Sequence, residues 1–303
     1  MTGRTLAIDI GGTRIRAALV SEQGEVLTRA EGVTPARGHG DEVVKVIALT
    51  AAQARQGQPV AAAGVCAPGP LDADHGIAQV TPTIDGFRDY PLRARISEAL
   101  GLPTVLEHDG QAAAFGEWRH GAGQGVQSLV FVTISTGIGG GAIVEGHLQR
   151  GRQGQAGHVG HMTLLPDGPI CNCGNPGCWE ALAAGPAFAA AARARGLADG
   201  PAAFAAARAG EASALALVAD EARWLGIGLV NLLHVYSPEI IVLGGGMTAG
   251  LDLLRPGIEA EIARRAMAPY RATPIVKAAL GDNAGLVGAA ALARRQTISV
   301  QKS

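Results

Sequence analysis

The sequence predicts an α/β protein of two domains built on one duplicated strand–turn–strand unit. Three observations carry this. Residues 5–10 form an apolar strand broken by Gly11-Gly12-Thr13, and residues 14–20 alternate in part, as a second strand does. The same pattern returns roughly 125 residues later: an apolar strand at 128–134, a turn at 135–140 and an exit strand at 141–144. The length, 303 residues, gives ample chain for two cores.

The remaining elements follow in order. Helices are expected at about 41–56 and 92–100, with short strands near 61–66 and 103–107. Residues 111–120 read as a helix starting just after Asp109. The alanine-rich stretch 185–223 is helical, because alanine dominates and only Gly196, Gly200, Pro201 and Gly210 punctuate it; two or three packed helices are expected. Residues 239–243 form a buried strand ending in Gly244-Gly245-Gly246, and an Ala/Leu-rich helix occupies about 284–295.

Net charge is −1 with 17% charged residues, so no basic footprint points to nucleic acid. No apolar run approaches the roughly 20 residues of a membrane span, and no secretory pattern opens the chain. A cytoplasmic enzyme is expected. The four cysteines point to a reducing compartment, since three of them have a metal's spacing. Cys66 lies in the apolar run 61–66 and reads as a buried, inert thiol.

The chemistry concentrates in a few motifs. His161, Cys171, Cys173 and Cys178 fall within eighteen residues, spaced H-x9-C-x-C-x4-C. Imidazole and thiolate are the ligands structural Zn²⁺ prefers, and four complete a tetrahedron. A disulfide is the alternative, but CxC is an awkward spacing for a bridge and three is an odd count. Asp9, Gly11, Gly12 and Thr13, with Thr136, Gly137 and Gly139, are phosphate-cradle candidates, since glycine lets backbone N–H groups converge on an anion and threonine adds a hydroxyl. Neither turn is a P-loop or a dinucleotide fingerprint: no Gly-Lys-Ser/Thr is present, and a strand rather than a helix follows each. Gly244 and Gly245 end a strand, either to admit a nucleotide edge or as a plain strand-to-helix turn. Asp109 reads as a general base for phosphoryl transfer or as the N-cap of the 111–120 helix.

Gly157-His158-Val159-Gly160-His161 leading into the run 171–180 (CNCGNPGCWE) resembles the signature of ROK proteins (repressors, open reading frames and sugar kinases), and the resemblance extends from Asp9 to about Gly288. It implies the actin-like (ribonuclease-H-like) two-domain ATPase fold with its active site in the interdomain cleft. The expected domains are 1–115 plus about 284–303, small, and 116–283, large, with the zinc loop. It implies ATP with Mg²⁺, Asp109 taking the proton of a sugar 6-hydroxyl, and Asp9 meeting the metal through water. The nucleotide would also meet Gly244 and Gly245. The implied sugar contacts are Gly69, Thr83, His108, Asp109, His158, His161 and Glu180, with His161 serving the zinc as well. A homodimer or homotetramer is expected.

Three positions depart from the family. Asn is usual at Thr83 and His108, and Glu at His158. Histidine in place of that glutamate resembles the N-acetylmannosamine kinase subgroup, whereas Thr83 and His108 fit it less well; a glucokinase is the alternative. His39, His75, His120, His147 and His234 have no partner spacing and read as surface or core residues. Two rival classes remain. A ROK repressor would need a helix-turn-helix before the first strand, where no room is expected. A sugar-binding protein without catalysis would need neither phosphate cradle nor Asp109.

Overall fold

The strand β1 (Arg4–Ile10) buries Leu6, Ala7, Ile8 and Ile10 to 1% exposure or less. Burial on both faces explains why the run reads as continuous rather than alternating. The computed structural model, which describes residues 3–35, 39–81 and 84–300, places β1 at the centre of a sheet. Thr83, an expected sugar contact, lies outside the described residues.

The chain divides into two compact units: residues 1–125, 147–157 and 278–303, and residues 126–146 and 158–277. In the first, β2 (Arg14–Ser21), β3 (Val26–Val33), β4 (Ala63–Ala67) and β8 (Thr104–His108) join β1 in the order β3-β2-β1-β4-β8. β1, β2 and β3 are antiparallel neighbours, and β4 and β8 run parallel to β1. A small second sheet holds β5 (Leu71–Asp72), β6 (Ile77–Val80) and β7 (Arg88–Tyr90). α1 (Gly40–Arg55) and α2 (Leu92–Leu100) supply core residues Val43, Ile47, Leu92 and Ile96 beside Leu6, Ile8 and Val65. α9 (Ala284–Val300) packs Leu286, Val287 and Ala290 onto Ala7, Ala18 and Val20, and packs closely on α3 (Asp109–His120).

In the second unit, β9 (Leu129–Ile134), β10 (Ile138–Val144), β12 (Ile240–Gly244) and β13 (Ile275–Lys277) stand in the order β10-β9-β12-β13; the two-residue β11 (His147–Leu148) lies between β10 and α4 in the chain. β10 is antiparallel to β9, and β12 runs parallel to both β9 and β13. These four repeat the arrangement of β2-β1-β4-β8. α4 (Trp179–Ala183), α5 (Gly185–Arg193), α6 (Gly200–Arg208), α7 (Ala212–Tyr236) and α8 (Leu251–Arg265) close over this sheet around Trp179, Phe188, Leu229 and Ile258. No single described helix is long and apolar enough to cross a membrane. α6 and α7 together pass that test by length, but they meet at 116° and supply the core of this unit.

Several elements differ from the sequence reading. The second turn is only Ser135–Gly137, because β10 pairs in register from Ile138↔Ile134 and takes Gly139 and Gly140 into the strand. α3 begins at Asp109 with His108 in the cap position, so Asp109 is the first helical residue and not the N-cap. The alanine-rich region is three helices, the last continuing past 223 to Tyr236. β3, the β5–β7 sheet, α8 and β13 were not expected. The expected boundary at 115/116 falls inside unbroken α3, and residues 147–157 return to the first unit.

Candidate active site

In the first unit, Asp9 sits directly opposite Arg16 on β2 and Cys66 on β4. Cross-strand partners project from the same face. Arg16 Nη1 donates to Asp9 Oδ2 at 3.3 Å, and Cys66 Sγ donates to Oδ1 at 3.5 Å. Burial raises the Asp9 carboxyl above its ordinary value, the negative Asp109 adds to that, and Arg16 opposes it. Burial likewise pushes the Cys66 thiol well up, which keeps it an un-ionised thiol. The adjoining turn is closed by Gly11 N donating to Arg14 O (2.9 Å) and Thr34 Oγ1 to Gly11 O (2.7 Å). Thr13 at its tip is exposed.

Asp109 opens α3 with its side chain 47% exposed, while His108, at the end of β8, is buried. Asp109 Oδ1 accepts from Gly110 N at 2.7 Å and lies 3.2 Å from His108 Nδ1. A carboxylate at a helix start, held by a backbone N–H, keeps its second oxygen for another partner. Gly69 is half-buried in the loop between β4 and β5. Behind β8, buried Glu107 accepts from Arg150 Nε at 2.6 Å, and fully buried Gln111 Nε2 donates to the carbonyls of Gly154 (3.1 Å) and Ala156 (2.5 Å). These contacts fix residues 150–156, immediately before His158. Sequence reading missed them, because nothing local marks Arg150 or Gln111.

In the second unit, Ser135 N donates to Gly137 O (2.9 Å), closing the turn, and Gly185 N donates to Ser135 O (2.8 Å). Glu180, in the first turn of α4, accepts from Ile138 N at 2.9 Å through Oε2. This approach requires a glycine: a Cβ on Gly137 would stand 2.4 Å from that oxygen. The other oxygen, Oε1, accepts from Cys171 Sγ at 3.8 Å, so one carboxylate touches both the turn and the cysteine cluster. His158 is half-buried, its ring 6.1 Å from that of exposed His161.

The four cluster donors lie within 4.8 Å of one another. Cys171 Sγ is 3.7 Å from His161 Nδ1, and Cys173 Sγ is 3.6 Å from Cys178 Sγ. Zn–S bonds of about 2.3 Å at tetrahedral angles separate sulfurs by about 3.8 Å, so the donor set and its spacing fit zinc. The cysteines form no disulfide. Asn175 Nδ2 donates to Cys178 Sγ at 3.2 Å, the kind of outer contact that orients a metal thiolate. Gly177, at φ +70, cannot be replaced: its Cβ would meet Leu165 O at 1.5 Å.

Gly244 ends β12, and the chain beyond it lines a cavity of about 540 Å³. Ser135, Thr136 and Gly246 form one end, with walls from α5, α6 and the segment Met247–Ala249. Sequence reading marked Thr136 and the glycines after β12 but not the cavity itself, which collects residues from four separated stretches.

The repeated sheet, with its two turns and two α/β units, is that of the actin-like ATPases. The ROK family pattern matches residues 5–296, and the chain belongs to that family. It is 35% identical to a glucokinase of Streptomyces coelicolor, over 96% of this chain and 98% of that protein. It is 36% identical to an N-acetylmannosamine kinase of Salmonella newport, over 97% and 99%. The crystal structure of a Streptomyces griseus ROK family glucokinase with glucose and AMPPNP superimposes with a TM-score of 0.85 at 36% identity, covering 97% of this chain and all of that one.

Proposed function

We propose that this ROK carbohydrate kinase phosphorylates N-acetylmannosamine at its 6-hydroxyl, with ATP as donor. The observation that carries the sugar assignment is His158 beside His161, where the family signature has a glutamate. A glutamate accepts from two neighbouring hydroxyls; a neutral imidazole offers one donor and one acceptor and so matches an acetamido group. Glucokinase is the second reading, supported by the equally similar Streptomyces relative.

In the reaction, the sugar oxygen attacks the γ-phosphorus, the bond from that phosphorus to the ADP oxygen breaks, and the hydroxyl proton passes to Asp109. Asp109 suits the base because its carboxylate is exposed and held at a helix start. The turns at Gly11–Thr13 and Ser135–Gly137 offer N–H and hydroxyl donors to phosphate, and the cavity beyond Thr136 accommodates the nucleoside. Magnesium supplies screening of the phosphate charge, with Asp9 the residue to hold its water shell. His161, Cys171, Cys173 and Cys178 would hold a structural Zn²⁺ that fixes His161. Positions Gly69 and His108 complete the proposed sugar contacts.

The test is steady-state kinetics on N-acetylmannosamine and glucose in wild type and His158→Glu. Wild type should show the higher kcat/KM on N-acetylmannosamine, and His158→Glu should shift preference toward glucose. A wild-type preference for glucose promotes the second reading.

A further inference from the structure

The cavity in the second unit has an uneven distribution of polar groups. Ser135 and Thr136, from the turn between β9 and β10, bring hydroxyl side chains to its lining. Its walls are apolar, chiefly Pro186 and Ala189 of α5, Phe204 of α6, and Met247. Among the described lining residues, only Asp199 and Arg208 carry other polar side chains; both are exposed, and each is partly engaged elsewhere. Asp199 Oδ1 accepts from Ala202 N at 2.8 Å, capping α6. Arg208 forks onto Asp252 at 3.1 and 2.7 Å and donates to Ala249 O at 2.9 Å. Phe204 is fixed in turn by stacking on Phe188 at 4.9 Å. The apolar walls thus offer no polar side chain to a base edge, and the two charged groups stand at the exposed rim.

We propose that this kinase selects its donor by the triphosphate and the shape of the nucleoside, not by the base, and therefore uses GTP and ITP as well as ATP. The inference rests on the reading that the nucleoside occupies this cavity. A site that hydrogen-bonds a substrate group rejects analogues lacking it by orders of magnitude; an apolar slot gives only weak discrimination between molecules of similar shape. Adenine, guanine and hypoxanthine share one bicyclic outline and differ in the edge groups at C2 and C6. A base in this slot would meet apolar wall or the exposed rim of Asp199, Pro201 and Arg208. The transfer is the same for each donor: the sugar oxygen bonds the γ-phosphorus, the nucleoside diphosphate leaves with the bridging oxygen, and Asp109 takes the proton.

The experiment measures kcat/KM for Mg-ATP, Mg-GTP and Mg-ITP at saturating sugar, together with calorimetric binding of ADP, GDP and IDP. All three donors should fall within about tenfold of one another, and so should the three diphosphates. Ala189→Leu, which narrows the slot from α5, should raise KM for the three donors by similar factors and leave the KM for sugar unchanged. GTP or GDP weaker than the adenine nucleotide by a hundredfold overturns the inference, as does an Ala189→Leu effect confined to ATP. Absence of transfer from every donor counts against the kinase reading instead, and the diphosphate affinities then decide this proposal alone.

Discussion

The two sheets repeat one arrangement of strands, yet the carboxylates beside their turns are held differently. Beside the turn of the first sheet stands a carboxylate, Asp9, paired to Arg16 and repelled by Asp109. The turn of the second sheet carries hydroxyls and a glycine, with Glu180 bonded to its far side at Ile138 N. On the proposed function a duplicated frame serves two tasks: the first unit would supply the groups that manage protons and cations, and the second N–H and hydroxyl donors beside a cysteine–histidine cluster. Four predictions bear on that division, from the largest expected effect to the smallest.

The cluster braces only the second unit, so losing it should be felt there. Fresh protein should contain one zinc per chain, and Cys178→Ser should lose it and lower the unfolding temperature of that unit. Such sites contribute apparent binding energies of about 10–16 kcal/mol at neutral pH. Cys66→Ser, in the other unit, should retain one zinc. Metal analysis returning well under one ion per wild-type chain would remove the brace from the account.

Asp109→Asn should lower kcat by about 10²–10⁴-fold while zinc content and sugar affinity persist. A variant retaining a tenth of wild-type kcat would reduce Asp109 to an orienting role and undo the assignment of proton chemistry to the first unit.

Gly137→Ala sharpens the comparison at the second turn. Its methyl would displace Glu180 from Ile138 N, and hydrogen bonds to charged groups contribute about 1.5–3 kcal/mol. We expect kcat/KM for ATP to fall by about ten- to a hundredfold, with zinc retained. An unchanged kcat/KM would show that Glu180 does not support this turn.

The smallest effect concerns Glu221, buried on α7 with Oε1 lacking a hydrogen-bond partner among the described residues. Burial raises its carboxyl well above the ordinary value. A raised folded-state value means stability that is present below the unfolded-state value, about 4.3, and is lost as pH rises through the folded one. Glu221→Gln, which cannot ionise, should therefore gain more in unfolding temperature at pH 8.5 than at pH 5. Equal shifts at both pH values would show an ordinary, solvated carboxylate. Arg16, paired to Asp9 in the first unit, makes the contrast plain: there a half-buried acid keeps a counter-charge.

The sequence disclosed these features unequally, for physical reasons. The four donors of the cysteine–histidine cluster were legible because all fall in one short stretch, where spacing alone constrains geometry. Both hairpins were legible because glycine and threonine interrupt largely apolar strands. β3 was not, since its one half-buried face leaves Arg29 and Glu31 alternating with small residues along an edge. α8 was hidden by Pro256 and a mixed polar face. The cavity was invisible because it is assembled from residues 135–136, 185–189, 199–208 and 246–249, which no local pattern connects. Asp109 was found as a candidate but misplaced by one helical position, since Asp serves equally at an N-cap and at the first residue.

The central claim is the identity of the sugar. Its most direct measurement is a competition: equal concentrations of N-acetylmannosamine and glucose in one reaction with limiting ATP, with the phosphate esters resolved and their attachment carbon assigned by NMR. The product ratio equals the ratio of kcat/KM values. The account predicts N-acetylmannosamine 6-phosphate in excess; glucose 6-phosphate as the major product, or an ester at another carbon, would contradict it.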